Sequence, residues 1–231
     1  MKLSSVLLAA TLSFSLFSCK EKKETKAFKA FNEGVALSLQ SGQEQDKGNF
    51  EKADALNKQS IKKFQELFLI DSTHAGVRSA LGHCLYIDKQ YQEAIKWFEQ
   101  ANKVNGEMAA NYQEMGLCKI NIGQIGAGKE DIDKAFVMDT SKDIRELTMR
   151  DLTDIAELAF QYSDDYANEG DVEKGTEYKK FSIGVFMLAF EYDKSRKDIA
   201  SKISTYAEKI GDKETAAKYK ESAESLTEKQ Q

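Results

Sequence analysis

Residues 75–106 meet a second copy of themselves 34 positions further along the chain. Leu81-Gly82 falls on Met115-Gly116, Ala94 on Gly128, Phe98 on Ile132, Ala101 on Ala135 and Asn105 on Asp139. Self-similarity at a fixed period of this length marks an array of helix–turn–helix units, each burying its apolar face against the next. Composition agrees. The 231 residues include no proline, while Ala, Lys, Glu, Gln and Leu abound and no stretch alternates β-branched with polar residues. Helix formers throughout, without strand periodicity, predict an all-α chain.

The spacing within the first copy is specific. Leu81-Gly82, Leu85, Tyr91, Ala94, Phe98 and Ala101 stand where small residues let two helices cross closely and large ones fill the gap between them. These positions resemble the tetratricopeptide repeat, with Gly106 in place of the usual terminal proline and Arg78 in the first large slot. The second copy, 109–140, keeps Tyr112, Met115, Gly116, Ile132 and Ala135, with Gly128 at the crossing. The resemblance implies a right-handed superhelical stack of about five hairpins, an α–α solenoid. Beyond the two clear repeats, periodicity alone predicts hairpins at 25–40 with 49–70, at 144–168 with 171–192, and at 196–210 with 213–227. The first has a polar connection, Ser41 to Gly48, and paired slots at Gly34 and Phe64. Phe181 to Phe190 is apolar on nearly every side and too short to span a bilayer. It reads as a core helix or as a docking surface for another chain.

Lys2 precedes an apolar run, Leu3 to Phe17, that ends in Ser18-Cys19 and turns abruptly to Lys20-Glu21-Lys22-Lys23-Glu24. A basic start, a short apolar core and a charged continuation form a processing signal rather than a spanning helix. The segment resembles a bacterial lipoprotein signal, with Phe17 bulkier than the usual residue two before the cysteine. That resemblance implies lipid attached to the Cys19 thiol, cleavage of 1–18, a tether over 19–26, and a repeat domain over 27–231. Lys20, in place of the aspartate associated with inner-membrane retention, implies an outer-membrane lipoprotein on its periplasmic or surface face. Several acyl chains would anchor it stably.

The charge is −5 with signs interspersed, which excludes a nucleic-acid footprint. Gly123 to Lys129 imitates a phosphate-binding loop. The required Ser or Thr after the lysine is Glu130, however, followed by Asp131 and Asp133, so no nucleotide is expected. His74 and His83, the two histidines, have no ligand-spaced cysteine or carboxylate, so neither a metal nor another cofactor is expected. Asp131/Asp133 and Asp164-Asp165 read as solvated charge. Cys84 and Cys118 occupy equivalent slots 34 apart. Stacked helices lie roughly 8–10 Å apart, beyond the roughly 7 Å Cα separation a disulfide needs. Two free buried thiols are expected, a bridge being the alternative. No catalytic constellation emerges, and the chain is not expected to be an enzyme.

In the repeat family the first helix of each hairpin lines a concave groove. Carried over, the groove slots hold Ser79, His83, Tyr86 and Ile87, then Gln113, Leu117, Ile120 and Asn121. Family members that clamp a terminal carboxylate use Lys and Asn in these slots, so an apolar-aromatic peptide or helix suits this chain better. The resemblance implies a membrane-tethered scaffold or adaptor for envelope proteins. The alternative is a sugar- or peptide-binding accessory of an uptake or envelope-enzyme system, against which Trp97, the lone tryptophan, sits in a second helix away from the groove.

Overall fold

A computed structural model describes the backbone of residues 4–228 and the side chains of 24–227. Cys19 and the signal-like segment lie outside the described side chains. Among the described residues there are ten helices and no strand, in five successive hairpins: α1 Ser4–Asp46 with α2 Phe50–Ile70, α3 Val77–Ile87 with α4 Tyr91–Asn105, α5 Ala109–Asn121 with α6 Ile125–Met138, α7 Lys142–Asn168 with α8 Val172–Tyr192, and α9 Lys197–Lys209 with α10 Lys213–Glu228. They fall into two compact units, Met1–Glu107 and Met108–Gln231. The fold is an all-α series of TPR-like hairpins.

All five hairpins turn the same way. One residue in the left-handed region stands two before each second helix: Gly48, Lys89, Gly123, Gly170 and Gly211. Its N–H donates to the carbonyl three residues back, and the next N–H to the carbonyl five residues before itself, as in Lys89 to Tyr86 (3.0 Å) and Gln90 to Leu85 (2.9 Å). In the next hairpin Gly123 donates to Ile120 at 2.8 Å and Gln124 to Lys119 at 2.9 Å. This is a Schellman closure. It satisfies the last carbonyls of one helix while the following residue already caps the next.

Seven residues before this pivot and five after it, each hairpin brings two small residues together: Ser41/Ala53, Gly82/Ala94, Gly116/Gly128, Ser163/Gly175 and Ser204/Ala216. The contacts are close. A Cβ on Gly116 would lie 2.6 Å from the Gly128 carbonyl oxygen, and one on Gly175 would lie 2.7 Å from that of Ser163. Where serine faces alanine, its hydroxyl donates across the crossing, Ser41 to Ala53 at 2.7 Å and Ser204 to Ala216 at 2.9 Å, whereas Ser163, facing Gly175, donates back to the Phe160 carbonyl of its own helix. The two longest hairpins repeat the crossing one heptad further out. There Ser60 donates to the Gly34 carbonyl (2.8 Å) and Ser182 to that of Ala156 (2.6 Å). Four residues beyond the outermost small slot of the second helix comes a fully buried large one in four hairpins: Phe64, Phe98, Ile132 and Phe186.

Two expectations change. The polar stretch Ser41 to Asp46 is helical and extends α1, because Ser41 is buried against α2 and Glu44 is held by Asn49 and Lys47. Residues 19–26, expected as a tether, also belong to α1; this stretch is rich in lysine and glutamate, good helix formers, and holds no glycine. Phe181 to Phe190 is core. Ile183, Val185, Phe186, Leu188 and Ala189 are buried, with Phe186 set edge-on to Tyr206 and Phe190 to Tyr219.

Candidate functional site

Helix α3 has two unlike sides. Val77, Leu81, Gly82, Cys84 and Leu85 are buried, and Gly82 lets the Phe98 ring of α4 approach so closely that a Cβ would meet it at 2.6 Å. Ser79, His83, Tyr86 and Ile87 fall at i, i+4, i+7 and i+8, hence on one stripe of the same helix. His83 and Tyr86 are half-buried and Ile87 is 39% exposed. The Tyr86 ring tilts against Tyr91 at 6.1 Å, which steadies it at the end of the stripe. The Ser79 hydroxyl is buried without a hydrogen-bond partner among the described residues.

The equivalent stripe on α5 differs. Leu117 and Ile120 are fully buried and Gln113 is 7% exposed, so these three expected groove residues are not presented to a partner. Gly128 leaves space that Ile120 fills: a Cβ there would stand 2.5 Å from its Cγ1. Helix α5 packs against both α6 and the long α7, which leaves little of it uncovered. Asn121 remains half-buried and its amide donates to the Leu117 carbonyl at 2.9 Å, a bond within its own helix.

The other chemically suggestive residues have structural work. Gly123 is a turn pivot and Gly128 a crossing residue, while Lys129 pairs with Asp133 (2.7 Å) and Glu191 (3.3 Å). Asp131 faces Lys119 at 2.6 Å, and burial still raises its carboxyl above the usual range. The His74 ring lies 4.6 Å from Phe31 and its Nδ1 accepts the Gly76 N–H at 3.3 Å. Trp97 meets Phe68 edge-on at 5.1 Å. Cys84 and Cys118 are both buried and neither is in a disulfide. Among the described residues no group of three or more His, Cys, Asp or Glu could hold a metal ion, and no helix is long and apolar enough to cross a membrane. No sequence spacing signals the cleft of about 540 Å³ in the second unit, lined from α6, α7 and the connection between α8 and α9.

No protein-family model matches the chain. Over 64 residues it is 36% identical to sperm-associated antigen 1 of Rattus norvegicus, a stretch that makes up 28% of this chain and 7% of that protein. The chain thus spans a small part of the relative's length. Among solved structures it is similar to a MamA protein, at 15% identity and a TM-score of 0.47, over 88% of this chain and 93% of that one. It is also similar to YrrB, described as a TPR protein with an unusual peptide-binding site, at 16% identity and a TM-score of 0.44, over 87% of this chain and 91% of that one. A third likeness is to a nuclear import adaptor of S. pombe, at 10% identity and a TM-score of 0.42, over 88% and 93% of the two chains.

Proposed function

We propose that this chain is a protein-interaction scaffold, held at the bacterial outer membrane by lipid on Cys19, that grips a peptide or helix of an envelope protein through α3. The observation that carries the reading is the α3 stripe. Its inner side is spent on packing, while His83, Tyr86 and Ile87 offer two half-buried rings and an exposed aliphatic group at helical spacing, with the Ser79 hydroxyl buried at the head of the stripe. Mixed aromatic and polar surfaces of this kind suit partner recognition. The edge-on packing of Trp97 on Phe68 gives no support to a sugar-stacking accessory.

The test is crosslinking in the native envelope followed by purification of the chain. A specific envelope protein should co-purify with the unsubstituted chain and be lost with His83→Ala plus Tyr86→Ala. Retention of every partner by a folded double variant removes α3 as the gripping surface. Cys19→Ser should release the chain from membranes, and persistent attachment would end the lipid-anchor reading.

A further inference from the structure

The second unit contains a binding cleft of its own. Phe136 and Tyr192 meet edge-on at 5.1 Å, and with the buried Met149 they give it an apolar floor. Four cations reach the rim: Lys142, Arg145 and Arg150 from α7, and Arg196 at the start of α9. Three of them are engaged. Lys142 pairs with Glu146 at 2.8 Å, and Arg196 makes two bonds of 2.8 and 2.7 Å to Asp198. Arg150 reaches a single oxygen of Asp151 through two long contacts of 3.4 Å.

Arg145 is different. Its guanidinium lies over the Phe136 ring at 4.4 Å, and among the described residues no carboxylate pairs with it. Stacking on an aromatic face fixes the plane of the guanidinium and leaves its N–H fork open for a carboxylate. The rim carboxylates are committed or set apart. Glu146 belongs to Lys142, and Asp193 accepts from the Ser195 N–H (3.0 Å) and hydroxyl (2.6 Å). Asp154 is the remaining acid of the lining.

We propose that this cleft binds an acidic peptide segment of a partner protein. One Asp or Glu side chain pairs with Arg145, and an adjacent apolar residue rests on Phe136, Met149 and Tyr192. The volume is that of a site for a few side chains. The single open cation, among three acids of the rim, matches one carboxylate better than a multiply charged group. The site is separate from the α3 stripe and does not depend on it.

Titration calorimetry on the full chain tests this with two end-blocked peptides, one alternating glutamate with leucine and the other glutamine with leucine. The glutamate peptide should bind, and the glutamine peptide should bind at least about tenfold more weakly, as expected for loss of a charge-assisted pair. Arg145→Gln, at an exposed position, should weaken the glutamate peptide by about tenfold with its thermal melt unchanged. Arg145→Lys should fall between the two, because the charge remains and the fork is lost. His83→Ala plus Tyr86→Ala should bind the glutamate peptide as the unsubstituted chain does. Equal binding of the two peptides, unchanged affinity in Arg145→Gln, loss of affinity in the α3 variant, or no binding at millimolar peptide would each overturn the proposal.

Discussion

Lys89 is the one non-glycine residue at positive φ among the described residues, with φ 60°. It occupies the pivot that glycine holds in the other four hairpins, and its counterpart 34 residues on is Gly123, at φ 85°. The left-handed region crowds a Cβ against the neighbouring carbonyl, at roughly 1–2 kcal/mol for an ordinary residue. Glycine avoids this but loses more chain entropy on folding. Lys89→Gly should therefore stabilise the protein, by about 0.5–1 kcal/mol, read as a higher urea midpoint with an unchanged slope. A lower midpoint would show that the lysine side chain holds the turn by contacts of its own. The sequence hides this position, because a lysine between Asp88 and Gln90 looks like any solvated surface residue.

The hairpins show how far pattern reading reaches. Gly82 with Ala94 and Gly116 with Gly128 are legible because both members are glycine or alanine and the period is constant. The same crossing at Ser41/Ala53 and Ser204/Ala216 escapes notice, since serine there reads as surface when its hydroxyl is in fact spent on a buried carbonyl. Crowding differs among these slots. A Cβ at Gly116 meets backbone oxygen at 2.6 Å, whereas at Gly82 it meets the Phe98 ring, which can tilt. Both alanine substitutions should destabilise, in the range of about 1–3 kcal/mol for overpacking, with Gly116→Ala the worse. Equal melting of the two variants would contradict that ranking. At the close of α1, Glu44 accepts from Asn49 Nδ2 at 2.9 Å and from Lys47 and Lys52 at 3.0 and 3.3 Å. The Asn49 bond chiefly, then Lys47, lowers its carboxyl from 4.5 to about 2. A depressed acid contributes stability above its unfolded value, and that contribution is lost as pH falls through 4.5 toward about 2. Glu44→Gln should flatten this limb of the unfolding midpoint against pH. An unchanged limb would assign the acid sensitivity to other carboxylates.

Each compact unit has a buried reporter. Cys84 lies in the first, with its sulfur 3.4 Å from the Ser60 hydroxyl, and Cys118 lies in the second, where burial pushes its thiol up to about 12. A buried, protonated thiol is a poor nucleophile. Neither should react with a thiol-specific reagent at neutral pH without denaturant. Labelling followed by peptide mapping across a urea series gives the opening of each unit separately; rapid native labelling of either cysteine would mean its unit opens locally. The candidate surfaces were less legible than the fold. A slot transferred by period kept its place on the helix but lost its exposure, since Leu117 and Ile120 are covered where His83 and Tyr86 are only half so. The Arg145 cleft draws on positions from 136 to 196 that share no spacing, and only the packing of α6, α7 and α8 assembles it.

The turn shared by all five hairpins behaves as an elbow of fixed angle with arms of adjustable reach. From Gly34 to Ser60 the chain runs fourteen residues further than from Gly82 to Ala94, seven on either side of the pivot. Seven residues return a helix to nearly the same heading, drifting by about 20°, so both arms lengthen while the contact surface continues. Reach can thus change in paired steps of one heptad, leaving the elbow untouched. An engineer could add or remove such pairs in α7 and α8, whereas an insertion in a single arm would rotate one face away from the other.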